Sequence, residues 1–206
     1  HDLMRIFAAS RLGVGEKGVA EERHAEHYQT VLSASNKQYK QGDEGVSTGL
    51  ALFDREWANI QAGWAWAERN LQYKTVAVSL CISYLDAGVY TLDLRLHPRE
   101  KIRWLETAVA GARRLMDRSA EGRHLDNLGV AYADLSEPRK AIEHYEQALK
   151  NSQEIGDRRG EGTRLGNLGN TYADLGETRK AIEHYQQALA IAKEIGDKRG
   201  EGARLG

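Results

Sequence analysis

The sequence predicts an all-α chain of antiparallel helix pairs stacked side by side as a solenoid, preceded by a helical connector. Residues 121–160 and 161–200 are two copies of one 40-residue unit, and EGARLG at 201–206 opens a third. Within a copy the apolar positions recur at helical period: Leu165, Leu168, Gly169, Tyr172 and Leu175, then Ala181, Ile182, Tyr185, Ala188 and Leu189. Only two prolines, Pro98 and Pro138, interrupt a chain otherwise rich in helix formers. A unit this short cannot bury its own apolar face, so neighbouring copies must stack.

Taken in order, residues 1–18 end one module and supply a loop, and 19–71 form a helical connector. The connector holds two helices, 19–40 and 46–70, separated by QGDEG. Trp57, Trp64, Ala67 and Leu71 share a face of the second helix and are expected to pack. Residues 72–120 align in register with the repeat and predict a degenerate hairpin. Its first helix lies in YKTVAVSLCISYLDAGVYTL and its second in PREKIRWLETAVAGARRLM, with a loop around His97 and Pro98 between them. In the good copies Gly176 supplies a left-handed turn, Ser136 is expected to cap a helix whose first turn accepts Pro138, and Gly156 and Gly196 stop the second helix.

Composition narrows the function. With 29 basic and 30 acidic residues the formal charge is −1, which offers no field for nucleic acid or an anionic membrane. The single cysteine, Cys81, lies in an apolar run and is expected to be a buried, inert thiol, consistent with a reducing cytoplasm. No stretch reaches the roughly 18 apolar residues of a membrane span. The chain starts at His1 without an initiator Met and stops six residues into a repeat, so we read it as a segment of a longer protein.

The residues Gly129, Tyr132, Ala141, Tyr145 and Ala148 of the first copy, and Gly169, Tyr172, Ala181, Tyr185 and Ala188 of the second, carry a resemblance to the tetratricopeptide repeat. The resemblance implies a right-handed superhelical solenoid that binds protein or peptide partners. The 40-residue length and GDRRG loop resemble the longer repeats of kinesin light chains and Pins-type adaptors. A second resemblance lies at the start, where HDLMRIFAASRL is similar to the end of the winged-helix module of STAND/NB-ARC signal-transduction NTPases. RHAEHYQTVL and LFDREWANIQAGWAWAERN resemble the connector that leads to C-terminal repeats in bacterial members. This implies that His1 and Asp2 correspond to a motif whose histidine faces nucleotide phosphates, with ATP or ADP bound by the parent protein.

The segment itself is expected to be neither an enzyme nor a cofactor carrier. GVGEKG at 13–18 matches G-x-G-x-x-G, yet no β-strand precedes it and no sheet follows, so it is expected to be a helix-connecting loop. His24 and His27 lack the further ligands a metal needs, and His144 and His184 are expected to face solvent. The informative polar set forms a stripe on the first helix of each copy. Arg123, Asp126, Asn127, Val130 and Asp134 correspond to Thr163, Gly166, Asn167, Asn170 and Asp174. In tetratricopeptide proteins this face lines the concave groove, and asparagine amides there can both donate to and accept from an extended peptide. The face near Leu189, Ile191 and Ile195 is expected to be left uncovered, predicting C-terminal self-association.

Overall fold

The computed structural model describes residues 13–197, and all regular structure among them is helical. His1, Asp2 and the third repeat start at 201–206 lie outside the described residues. The chain divides into two compact units between Leu96 and His97.

The first unit holds α1 (Val14–Tyr39), α2 (Glu44–Asn70), α3 (Thr75–Ala87) and α4 (Val89–Arg95). α1 starts earlier than expected: Gly13 is its N-cap and donates its amide to the Glu16 carboxylate at 3.0 Å, so GVGEKG is a helix opening, not a loop. Gly42 and Asp43, both at positive φ, reverse the chain into α2. α1 and α2 then run antiparallel and close together. A Cβ on Gly49 would stand 2.6 Å from the Ser35 carbonyl, and the Ser35 hydroxyl donates to the Gly49 carbonyl at 2.9 Å.

Leu32, Phe53, Ile60, Trp64, Ala67, Val78, Cys81 and Leu92 form the core of this unit. Tyr84 is buried with them and donates its hydroxyl to the Ala25 carbonyl at 2.7 Å. Trp57 instead stacks on Phe53 at 5.0 Å while remaining partly exposed. The long helix expected over 73–92 is broken: α3 and α4 meet at Gly88 with a bend of 78°. Asn36 Oδ1 accepts the Tyr90 amide at 2.9 Å, and Arg95 grips Asp54 of α2 at 2.8 and 2.9 Å, so α4 is held against the first hairpin. No single described helix is long and apolar enough to cross a membrane.

The second unit holds α5 (Pro98–Leu115), α6 (Arg118–Asp134), α7 (Pro138–Ile155), α8 (Arg158–Asp174) and α9 (Thr178–Glu194). Of the segment expected as a hairpin over 72–120, residues 72–96 fall in the first unit and 97–120 in the second. Its first half packs on α1 and α2, whereas α5 packs on α6 as α7 packs on α8. α6 and α8 open three residues before positions 121 and 161, with Asp117 and Asp157 as N-caps, each accepting an amide at 2.9 Å.

α6 and α7 form one antiparallel hairpin, and α8 and α9 the next. The first turns through Ser136 at φ 58° and the second through Gly176 at φ 73°. Ser136 thus takes a glycine-like conformation and does not cap; Glu137 precedes Pro138 instead, without a side-chain cap bond. Gly156 ends α7 in the left-handed conformation, and Met116 adopts the same conformation at the end of α5.

Each hairpin closes on a glycine–tyrosine contact. The Tyr145 ring lies over Gly129 and the Tyr185 ring over Gly169, where a Cβ would stand 2.5 Å from a ring carbon in either case. Ala141, Tyr145, Leu168, Tyr172 and Ala181 join the hairpins into one apolar cluster. Ile191 belongs to a second cluster with Leu165 and Ala188, so it is not part of an uncovered end; it faces α8, 3.2 Å from where a Gly162 Cβ would stand. Ile195 and Ile182 are exposed.

The loops between helices are tied by charge. Glu121, 3 % exposed, accepts from Arg113 at 2.7 Å and Arg118 at 2.8 Å. One repeat later Glu161 accepts from Gln153 at 3.1 Å and from Arg158, which also grips Glu194.

Candidate functional site

The predicted stripe is carried by α6 and α8, the first helices of the two hairpins. Leu125 and Leu128 of α6, like Leu165 and Leu168 of α8, point into the core, which turns the polar residues between them outward. Arg123, Val130, Asp134, Thr163, Asn170 and Asp174 are exposed, and Asp126, Asn127, Gly166 and Asn167 are half-buried. One bond joins the two stripes directly: Asn167 donates its amide to Asp126 Oδ1 at 3.0 Å across the helices.

The stripe is less free than its exposure suggests. Asn170 accepts the Tyr185 hydroxyl at 2.7 Å, Thr163 donates to the Arg159 carbonyl at 3.1 Å, and Arg123 donates to the Ser119 hydroxyl at 3.0 Å. Asn127 makes no side-chain hydrogen bond among the described residues. Two further residues border the stripe, of which the sequence pattern singled out only Tyr145. Arg164 is buried between Asp126 at 4.0 Å and Asp157 at 3.7 Å, and Tyr145 is buried over Gly129 with Asp126 and Asp134 acting on it electrostatically.

Burial pushes the Asp126 carboxyl up, against the lowering by Arg164 and by the Asn167 amide. Burial also raises the Tyr145 hydroxyl, and both aspartates add to the effect. The two tyrosines match in sequence, but Asn170, which accepts from Tyr185, corresponds to Val130 in the first copy.

His144 and His184 are not simply solvent-facing. Each stacks on the tyrosine of the preceding helix, His144 on Tyr132 at 5.1 Å and His184 on Tyr172 at 5.3 Å. Lys140 and Lys180 cover the same two tyrosines at 5.1 and 4.9 Å. Burial holds both imidazoles below their ordinary pKa. His24 and His27 both pack on the Tyr28 ring. Among the described residues, no three histidines, cysteines or carboxylates gather as a metal site.

Residues 122–194 match the family model described as tetratricopeptide repeat. Among curated proteins none matches the chain. Among solved structures the chain is similar to a Signal Transduction ATPase with Numerous Domains (STAND) protein with a tetratricopeptide repeat sensor from Pyrococcus horikoshii, at 20% identity and a TM-score of 0.58. That match covers 79% of this chain and 25% of the other, so this chain spans about a quarter of its length. It is also similar to BtubC (BKLC) from P. vanneervenii, at 15% identity and a TM-score of 0.51, over 90% of this chain and 88% of that one. At these identities the likeness is one of fold. Residues 122–194 thus match the tetratricopeptide repeat, and the chain is similar in fold to part of the Pyrococcus protein.

Proposed function

We propose that the face of α6 and α8 binds an extended segment of a partner protein, in the groove where tetratricopeptide repeats present their first helices. Tetratricopeptide repeats are protein-interaction modules, and the observation that carries this reading is the aligned stripe. Asn127 is uncommitted among the described residues, and Asn167 and Asn170 retain donor or acceptor capacity beyond their single bonds. Each backbone hydrogen bond contributes only about 0.5–1.5 kcal/mol, so affinity requires several together with apolar contact at Val130. Peptides selected from a random dodecapeptide display library supply the probe. Changing Asn127, Asn167 and Asn170 together to Ala should weaken their capture while the melting curve stays cooperative. Unchanged capture would place the interface elsewhere.

We further propose that this chain is the sensor arm of a STAND-type regulatory NTPase, receiving a protein signal in the cytoplasm. Support comes from the order of sequence resemblances, from winged-helix end through helical connector to repeats, and from the fold likeness to the Pyrococcus protein. ATP or ADP would then be bound by the parent protein, with His1 facing its phosphates. A stand-alone adaptor, with no NTPase in the parent, is the alternative. Sequencing the parent gene upstream separates the two: a phosphate-binding loop supports the NTPase, and its absence from the preceding few hundred residues refutes it.

A further inference from the structure

Both hairpins repeat one three-residue arrangement, built on the AIEHY of 141–145 and 181–185. In each, a histidine of the second helix lies parallel to a tyrosine of the first: His144 on Tyr132 at 5.1 Å and 6°, His184 on Tyr172 at 5.3 Å and 4°. A lysine one turn earlier on the same helix reaches the same ring, Lys140 at 5.1 Å and Lys180 at 4.9 Å. These tyrosines hold the hairpins together. Tyr172 belongs to the apolar cluster that joins the two hairpins, and Tyr132 packs against it.

The setting suits only the neutral imidazole. Nδ1 of His144 and Nδ1 of His184 are buried and have no hydrogen-bond partner among the described residues. A neutral ring can leave one nitrogen as an unused acceptor, whereas the cation must donate from both. A buried N–H with nothing to receive it is costly. The tyrosine face does not compensate, because a lysine already draws on its attraction for a cation. Burial is the largest influence on both rings and lowers their affinity for a proton. Around His144, Glu143 of its own helix and Glu106 of α5 favour the cation, while Arg113 of α5 and Lys140 oppose it. Around His184, Glu146 of α7 and Glu183 favour it and Lys180 opposes it.

We propose that His144 and His184 make the joint between the hairpins acid-sensitive: protonation of either ring opens its stack on tyrosine and loosens the packing that aligns α6 with α8. An unfolded chain takes up these protons near the ordinary 6.5, and the folded chain takes them up only at lower pH. The stabilisation is therefore complete above about pH 6.5 and is lost as pH falls through the lowered folded values. Stacked repeats sum their unit and interface terms, so the two histidines act together along the array. The device does not depend on what the polar stripe binds.

Histidine ring protons of the whole chain, followed by NMR as pH is lowered from neutral, provide the test. His144→Phe and His184→Phe identify the two signals and keep an aromatic ring at each tyrosine. Both histidines should titrate below 6.5, and the Tyr132 and Tyr172 ring signals should shift over the same range as the stacks open. The urea midpoint of the unaltered chain should fall between about pH 7.5 and 5.5. The double variant should fall less, and each single variant should remove about half of what the double removes. Either histidine titrating at or above 6.5, or a double variant whose midpoint falls as far as that of the unaltered chain, overturns the proposal. If a phenylalanine variant does not fold, His144→Gln and His184→Gln assign the signals. The unaltered chain then decides, and tyrosine signals that stay fixed while the histidines titrate overturn the proposal.

Discussion

Adding one methyl group at two positions of the same helix should change stability in opposite directions. Gly122 and Gly129 both lie inside α6, so replacing either by Ala gains the same intrinsic helix preference, about 1 kcal/mol. Their surroundings differ. A Cβ at Gly122 meets Asn151 Cβ at 3.5 Å, an ordinary contact, whereas a Cβ at Gly129 stands 2.5 Å from Tyr145 Cδ1. The ring cannot swing aside, because Tyr145 is buried within the cluster that joins the two hairpins. Overpacking of this kind costs about 1–3 kcal/mol. The helix term cancels between the variants, so their unfolding free energies should differ by about 1–3 kcal/mol, with Gly122→Ala the more stable. Urea unfolding followed by far-ultraviolet circular dichroism measures the gap, provided the m-values agree. Equal midpoints would refute the claim that the tyrosine ring requires a glycine beneath it.

Other consequences follow from individual side chains. Tyr185→Phe removes the bond to Asn170 and should cost about 0.5–1.5 kcal/mol, whereas Tyr145→Phe should cost less because its hydroxyl has no partner to lose; paired urea midpoints compare them. Burial pushes the Glu121 carboxyl up, but the bonds from Arg113 and Arg118 outweigh it and hold the group below its ordinary 4.5. Its stabilisation is therefore present above about pH 4.5 and is lost as pH falls through the lowered value in the folded state. Glu121→Gln should flatten the acid limb of the pH–stability profile and cost about 1–2 kcal/mol at neutral pH, modest because both arginines are half exposed. Burial pushes the Cys81 thiol up to about 12, so a thiol reagent at pH 8 should modify it only as fast as the first unit opens. Immediate labelling of the native chain would contradict its burial.

The repeat architecture was legible because its signals are local. Helical periodicity, the glycines at 156 and 176, and Pro138 at the start of α7 all act within a few residues. The polar stripe followed from the same periodicity, since placing the leucines inward leaves only one direction for Asn127, Asn167 and Asn170. What escaped depends on contacts the pattern does not encode. Asp117 and Asp157, four residues ahead of the repeated EG, cap the first helix of each hairpin, a role the repeat alignment does not encode. The segment 73–92 carries a continuous apolar pattern, and its 78° bend at Gly88 depends on the distant Asn36 and Asp54 holding α4. His144 and His184 looked solvent-facing from their place beside the apolar stripe, yet a tyrosine twelve residues earlier in each copy covers them.

The sequence by itself determined that the chain is helical, that its second half repeats, and which side of each first helix is polar, because backbone preference and helical period are properties of neighbouring residues. Only the tertiary structure decided which of those polar groups remain available. Asn167 and Asp126 are 41 positions apart, and Tyr185 and Asn170 are 15 apart, so their pairing depends on how the helices pack. The same packing sets Tyr145 over Gly129, where Val130 stands in place of the Asn170 that accepts from Tyr185. A nearly identical repeat thereby acquires two chemically different faces.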